Sequence, residues 1–138
     1  MTVKEFIGTR DRFAANSGVK AEAVAIDYGK TTLVVTKEHL NAGGVCQGGA
    51  IFTLADTALA LAANSRLSLT LSIEASIYYH KAALEGDILT AEARVVCAHP
   101  KLPSYEVEVK NGNGDLIASF RSISYNKRIP MEGVEGLE

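Results

Sequence analysis

One charged side chain, Asp56, stands in the run from Gly48 to Asn64 (GGAIFTLADTALALAAN). Burying an unpaired carboxylate costs several kcal/mol, on the order of 3–5, so Asp56 needs either hydrogen-bonding partners or a polar cavity. The first case is structural; the second leaves the carboxylate free for chemistry. Immediately upstream lies Asn41-Ala42-Gly43-Gly44-Val45-Cys46-Gln47-Gly48-Gly49. Glycines there let the backbone approach a ligand closely. The first amides of a helix are unsatisfied donors at the positive end of its dipole, and they suit a developing oxyanion. Asp56 follows Gly48 by eight positions, or ~12 Å of helical rise. A helix start cannot easily serve the carboxylate of its own helix, whereas a second copy alongside can bring the two together. Cys46 also sits beside the helix start, a place that lowers a thiol pKa; with no base evident it is read as inert.

The elements that must position these groups follow from periodicity. The segment 48–64 is apolar nearly all round, which implies a core helix. Its length of ~26 Å is short for a bilayer, and the central Asp argues further against one. Thr2 and Glu5 have capping-box spacing, and Val3, Phe6, Ile7, Phe13 and Ala14 continue a helix over about 3–17, stopped by Gly18. Lys20 to Asp27 alternates, Tyr28-Gly29-Lys30 reads as a turn, and Thr31 to Thr36 is β-branched and extended. After the core helix, period-two alternation covers Thr70–His80, Leu89–Cys97, Tyr105–Lys110 and Leu116–Tyr125, with a hairpin turn at Asn111–Asp115. The tail 130–138 is polar and glycine-containing, and is expected to be mobile. The order of helix, two strands, helix and four strands predicts an α+β domain over 1–138, its sheet mainly antiparallel and curved around the helix 48–64.

Composition narrows the function classes. The chain has 138 residues, 47% of them hydrophobic, and a net charge of −2, which provides no general field for nucleic acid or an anionic membrane. Cys46 and Cys97 form no CxxC, and His39, His80 and His99 are scattered singly, so no metal site is indicated. No apolar leader opens the chain, and the expected location is the cytoplasm, with reduced thiols. Phosphate-cradling motifs (GxxxxGK[ST], or GxGxxG after a strand) are absent.

The segments His39-Leu40-Asn41, Gly44-Val45-Cys46-Gln47-Gly48-Gly49 and Leu54-Ala55-Asp56-Thr57-Ala58, with Ser76–Ala91 later, resemble the hotdog-fold acyl-CoA thioesterases of the phenylacetate-pathway type. The likeness runs over roughly residues 20–126. It implies a hotdog fold and hydrolysis of an acyl-CoA to free acid and CoA. Asp56 matches the catalytic carboxylate, as general base or nucleophile. Gly48 matches the residue whose N–H polarises the thioester carbonyl. Asn41 matches an Asn that helps orient the thioester, and Ser72 a hydroxyl near the attacking water. Gln47 and Gly49 are candidates for touching the substrate. The resemblance further implies a homodimer or a dimer-of-dimers tetramer, with no cofactor apart from the CoA of the substrate.

Gln47 stands where that family usually has His, and Gln does not titrate near neutral pH. Two rival readings follow: an acyl-thioester dehydratase on the same fold, and a non-catalytic acyl-CoA-binding module. Structural readings also compete residue by residue. Gly48 and Gly49 fit a tight turn, Asn41 a loop cap, and Ser72 the polar face of a strand. Glu74 is read as solvated or interfacial. Lys81, Arg94, Lys101 and Arg121 can meet CoA phosphates or stay solvated, and Tyr78, Tyr79 and Phe52 can line an acyl pocket or pack in the core.

Overall fold

The computed structural model describes residues 1–138. Its elements are α1 (Val3–Arg10), α2 (Arg12–Asn16), β1 (Lys20–Ala25), β2 (Tyr28–Val34), α3 (Gly48–Ala63), β3 (Ser68–Tyr79), β4 (Ile88–Cys97), β5 (Ser104–Lys110) and β6 (Leu116–Pro130). The strands form one antiparallel sheet in the order β1-β2-β4-β5-β6-β3. It curves around α3, which touches all six strands: the hotdog arrangement.

The alternation read from the sequence is what wraps the helix. On β4 and β5, Leu89, Ala91, Ala93, Val107 and Val109 are buried against Leu54, Ala58, Leu59 and Ala62 of α3 in one cluster. Small residues on β4 leave room for the helix. The closest approach is on β2, where a Cβ on Gly29 would sit 2.4 Å from the Ala58 carbonyl and 2.6 Å from the Leu61 Cβ. The sequence reads Gly29 as a turn residue, yet it lies inside β2, because the helix leaves no space for a side chain. The turn is instead at Ile26–Asp27, with Asp27 at φ 58.

Two further expectations are corrected. The helix expected over 3–17 is broken at Asp11 (φ −78, ψ 86), whose Oδ1 accepts the Ala14 N–H at 3.0 Å and starts α2. The tail 130–138, expected to be mobile, is docked. Met131 and Val134 are buried with Val3, Val24 and Leu61. The N–H groups of Val3 and Lys4 donate to Gly136 and Leu137, and Lys4 Nζ lies 2.8 Å from Glu138.

β3 lies at one edge of the sheet, paired along β6 but not on its other side. It runs for 12 residues and exposes Leu71, Ile73, Tyr78 and Tyr79. No helix is long and apolar enough to cross a membrane.

Candidate active site

The loop before α3 is built from its own side chains. Asn41 Oδ1 accepts the N–H groups of Gly43 at 2.9 Å and Val45 at 3.3 Å, while the Asn41 N–H donates to the Val45 carbonyl. Asn41 thus caps the loop from an exposed position. Gly44 takes φ +82 within that turn. Gln47 is the N-cap of α3, its Oε1 accepting the Gly49 N–H at 2.5 Å. That leaves the side-chain amide of Gln47 as its free donor.

The two glycine amides therefore differ. The Gly49 N–H is taken by Gln47, and the Gly48 N–H has no partner in the chain. The Gly48 carbonyl accepts the Tyr79 hydroxyl at 2.8 Å. A Cβ on Gly48 would meet the Tyr79 ring at 2.9 Å, so the contact requires glycine. Gln47 and Gly49 border a cleft of about 450 Å³ with His39, Phe13 and Thr53. His39 is fully engaged, Nδ1 accepting the Thr36 N–H at 2.9 Å and Nε2 donating to the Ser17 carbonyl at 2.6 Å.

Asp56 opens elsewhere. It is half-buried on α3 and lines a cavity of about 220 Å³ with Phe6 and Ile7 of α1, Thr70 and Ser72 of β3, and Ser124 of β6. Burial pushes the Asp56 carboxyl above its ordinary pKa, and the nearby Asp11 charge adds to the shift. Neither Gly48 nor Gln47 borders this cavity, and Asp56 does not border the cleft lined by Gln47 and Gly49. The sequence-derived residues thus fall into two groups: Asp56 with Ser72, and Gln47 with Gly48 and Gly49.

The serines beside Asp56 have a defined polarity. Ser122 Oγ donates to the Glu74 carbonyl at 2.7 Å, which uses its one proton. Ser72 Oγ, 2.7 Å from Ser122 Oγ, is then the donor of that pair and keeps its own lone pairs as acceptors. Ser124 Oγ is buried without a partner. Phe6, Ile7, Thr70 and Ser124 were not picked out from the sequence. A signal existed for Ser124: Ala118, Phe120, Ser122 and Ser124 share the inward face of β6, where the pattern calls for apolar residues.

Other candidates have partners within the chain. Phe52 packs edge-on against Phe120 in the core, with centroids 5.1 Å apart. Lys81 pairs with Asp115 at 2.6 Å, Arg121 lies 3.9 Å from Glu106, and Arg94 lies over the Tyr28 ring beside Glu92.

Comparison with known proteins identifies the family and the fold. A protein of Archaeoglobus fulgidus is 45% identical over 123 residues, 89% of this chain and 80% of its own. The acyl-coenzyme A thioesterase PaaI of Escherichia coli is 33% identical over 112 residues, 76% of this chain and 80% of its own. The solved structure of E. coli PaaI, from the phenylacetic acid degradation operon, superposes with a TM-score of 0.83 at 26% identity, covering 94% of this chain and 99% of that one. The family model described as the thioesterase superfamily matches residues 43–118, from the glycine loop through α3 and into β6. The chain belongs to the thioesterase superfamily, as a thioester hydrolase with the hotdog fold.

Proposed function

We propose that the chain hydrolyses acyl-CoA thioesters to a free acid and CoA, with Asp56 of one subunit and Gly48 of its dimer partner acting on the same carbonyl. The observation that carries this reading is the half-buried Asp56 carboxylate, with raised pKa, in a largely apolar cavity that also presents Ser72 and Ser124. Its kinship with an acyl-coenzyme A thioesterase supports the substrate class. The Gly48 amide is free and Gly48 does not border the Asp56 cavity, which supports pairing across a subunit boundary. The unpaired β3 edge, with Ile73 60% exposed, is the surface on which a second copy would add its strand.

In this mechanism the Gly48 N–H donates to the thioester oxygen and stabilises the oxyanion. Asp56 accepts a proton from water as the water oxygen adds to the carbonyl carbon; the C–S bond then breaks and the thiolate recovers the proton from Asp56. As nucleophile, Asp56 would instead form a mixed anhydride that water opens. Burial makes the carboxylate a stronger base, and the lone pairs of Ser72 can accept a hydrogen bond from the water. Gln47 offers its side-chain amide to the substrate, next to Gly49. Asn41 holds the loop that presents these donors. No metal or redox cofactor enters any step. We place the reaction in the cytoplasm, consistent with two unpaired cysteines, and the assembly as dimers that pair into a tetramer.

A panel of acyl-CoA substrates with thiol detection tests the proposal. Wild type should release CoA, and Asp56→Asn should lose about a hundredfold or more in turnover while staying folded. Equal turnover by both proteins on every substrate removes Asp56 from the chemistry. An enoyl product without free thiol from a 3-hydroxyacyl-CoA would indicate dehydration, and tight binding without thiol release a binding module.

A further inference from the structure

A second cavity, of about 480 Å³, lies beyond the C-terminal end of α3, where Ala63 and Thr70 form a wall shared with the Asp56 cavity. Its polar lining includes Arg66 after α3, His99 between β4 and β5, Tyr105 on β5, and Asn126 and Arg128 on β6, beside Asp27, Ser68 and Thr70.

The free valences of these groups are donors. Tyr105 is 4% exposed and its hydroxyl has no partner in the chain; burial pushes its pKa to about 12, so it stays protonated. His99 Nδ1 accepts the N–H groups of Lys101 at 3.1 Å and Leu102 at 3.0 Å, which fixes the ring proton on Nε2. Asn126 Oδ1 accepts from Ser68 Oγ at 2.6 Å and from the Arg128 N–H at 2.8 Å, leaving its NH2 group to donate. Arg128 forms no ion pair and is held at φ 57, a conformation its contact with Asn126 secures. The one carboxylate in the lining, Asp27, is occupied by the fork of Arg66 at 3.1 and 2.8 Å.

A pocket that offers four kinds of N–H and O–H donor, carries one uncompensated cation and has its carboxylate already neutralised suits a ligand that only accepts and is negatively charged. We propose that this cavity is a phosphate-binding site, with Tyr105, His99, Asn126 and Arg128 as its donors. The phosphate can belong to the CoA portion of a substrate or to a free anion. The inference goes beyond thioester hydrolysis and does not depend on it, because binding is read without turnover.

The test is titration calorimetry of the full chain with inorganic phosphate and with adenosine 3′,5′-bisphosphate. Arg128→Gln and Tyr105→Phe should each weaken binding of the bisphosphate by about tenfold, the loss expected for one hydrogen bond to a charged group. Tyr105→Phe removes a hydroxyl that bonds nothing in the chain, so its melting temperature should match wild type, which separates a binding role from a structural one. The proposal is overturned if neither probe binds wild type, or if both variants bind the probes as wild type does. Acyl-CoA kinetics then identify the source. A raised KM with unchanged kcat assigns the phosphate to the substrate, and an unchanged KM with lost phosphate binding assigns it to a free anion; either outcome upholds the site.

Discussion

Tyr79, the last residue of β3, donates its hydroxyl to the Gly48 carbonyl at 2.8 Å and thereby pins the first turn of α3 to the sheet edge. The bond joins the residue that carries the candidate oxyanion donor, through the peptide on its other side, to the strand that carries Ser72. Tyr79→Phe keeps the ring and removes the bond. Stability should fall by about 1 kcal/mol, the usual net value of a hydrogen bond. Turnover should fall several-fold with little change in KM, as the Gly48 amide loses its fixed aim. Unchanged kcat in steady-state assays would detach Tyr79 from the chemistry.

Asp56 ties stability to pH. A carboxyl whose pKa is higher folded than unfolded binds its proton more tightly in the native state, so stability falls as pH rises from the unfolded value through the folded one. Asp56→Asn removes that cost. The variant should be more stable than wild type at neutral pH, and the gain should vanish in acid below the unfolded pKa, as denaturant titrations across pH will show. Asp11 contributes to the shift, so Asp11→Asn, which retains an N-cap oxygen for α2, should move the acid limb of the kcat/KM profile to lower pH and leave the plateau in place.

The two ends of the Gln47 side chain have separable roles. Gln47→Glu preserves the acceptor for the Gly49 N–H and places a negative charge at the helix start, which is worth about 0.3–1 kcal/mol of stability. It abolishes the free amide donor. A maintained or higher melting temperature together with a raised KM identifies Gln47 as a substrate contact. Unchanged kinetics would leave it a cap alone.

Shared sites can be tested by mixing inactive chains. Gly48→Pro, made together with Tyr79→Ala to clear the ring that its Cβ would meet, removes the free N–H at the first helical position, where proline is tolerated. Refolded together with Asp56→Asn, it should give dimers in which one of two sites is intact, and about a quarter of wild-type activity for random pairing of a symmetric dimer. No recovery would mean that Gly48 and Asp56 act within one chain.

The parts of the fold that were legible are those in which one physical signal dominates. The near-uniform apolarity of α3 marked it as the core helix and made Asp56 conspicuous, and strict alternation marked β3 to β6. Gly29 misled because its reason lies in a contact with Ala58 and Leu61, far along the chain. Asp11 reads as an ordinary polar position on a helix until its side chain is seen capping the next one. Polar composition hid Met131 and Val134, two residues that suffice to dock the tail. The placement of β3 outside β6, and so of Ser72 beside Ser124, is a matter of sheet order, which hairpin-by-hairpin reading does not fix.

The docking of the tail has a consequence for biogenesis. Phe6 and Ile7, which border the Asp56 cavity, sit on a helix held by residues more than a hundred positions later. During synthesis α1 emerges first but meets its clasp only when residues 131–138 have emerged. The long-range contacts that clasp α1 are thus the last to form, after β1 and α3 have already become available to its apolar face.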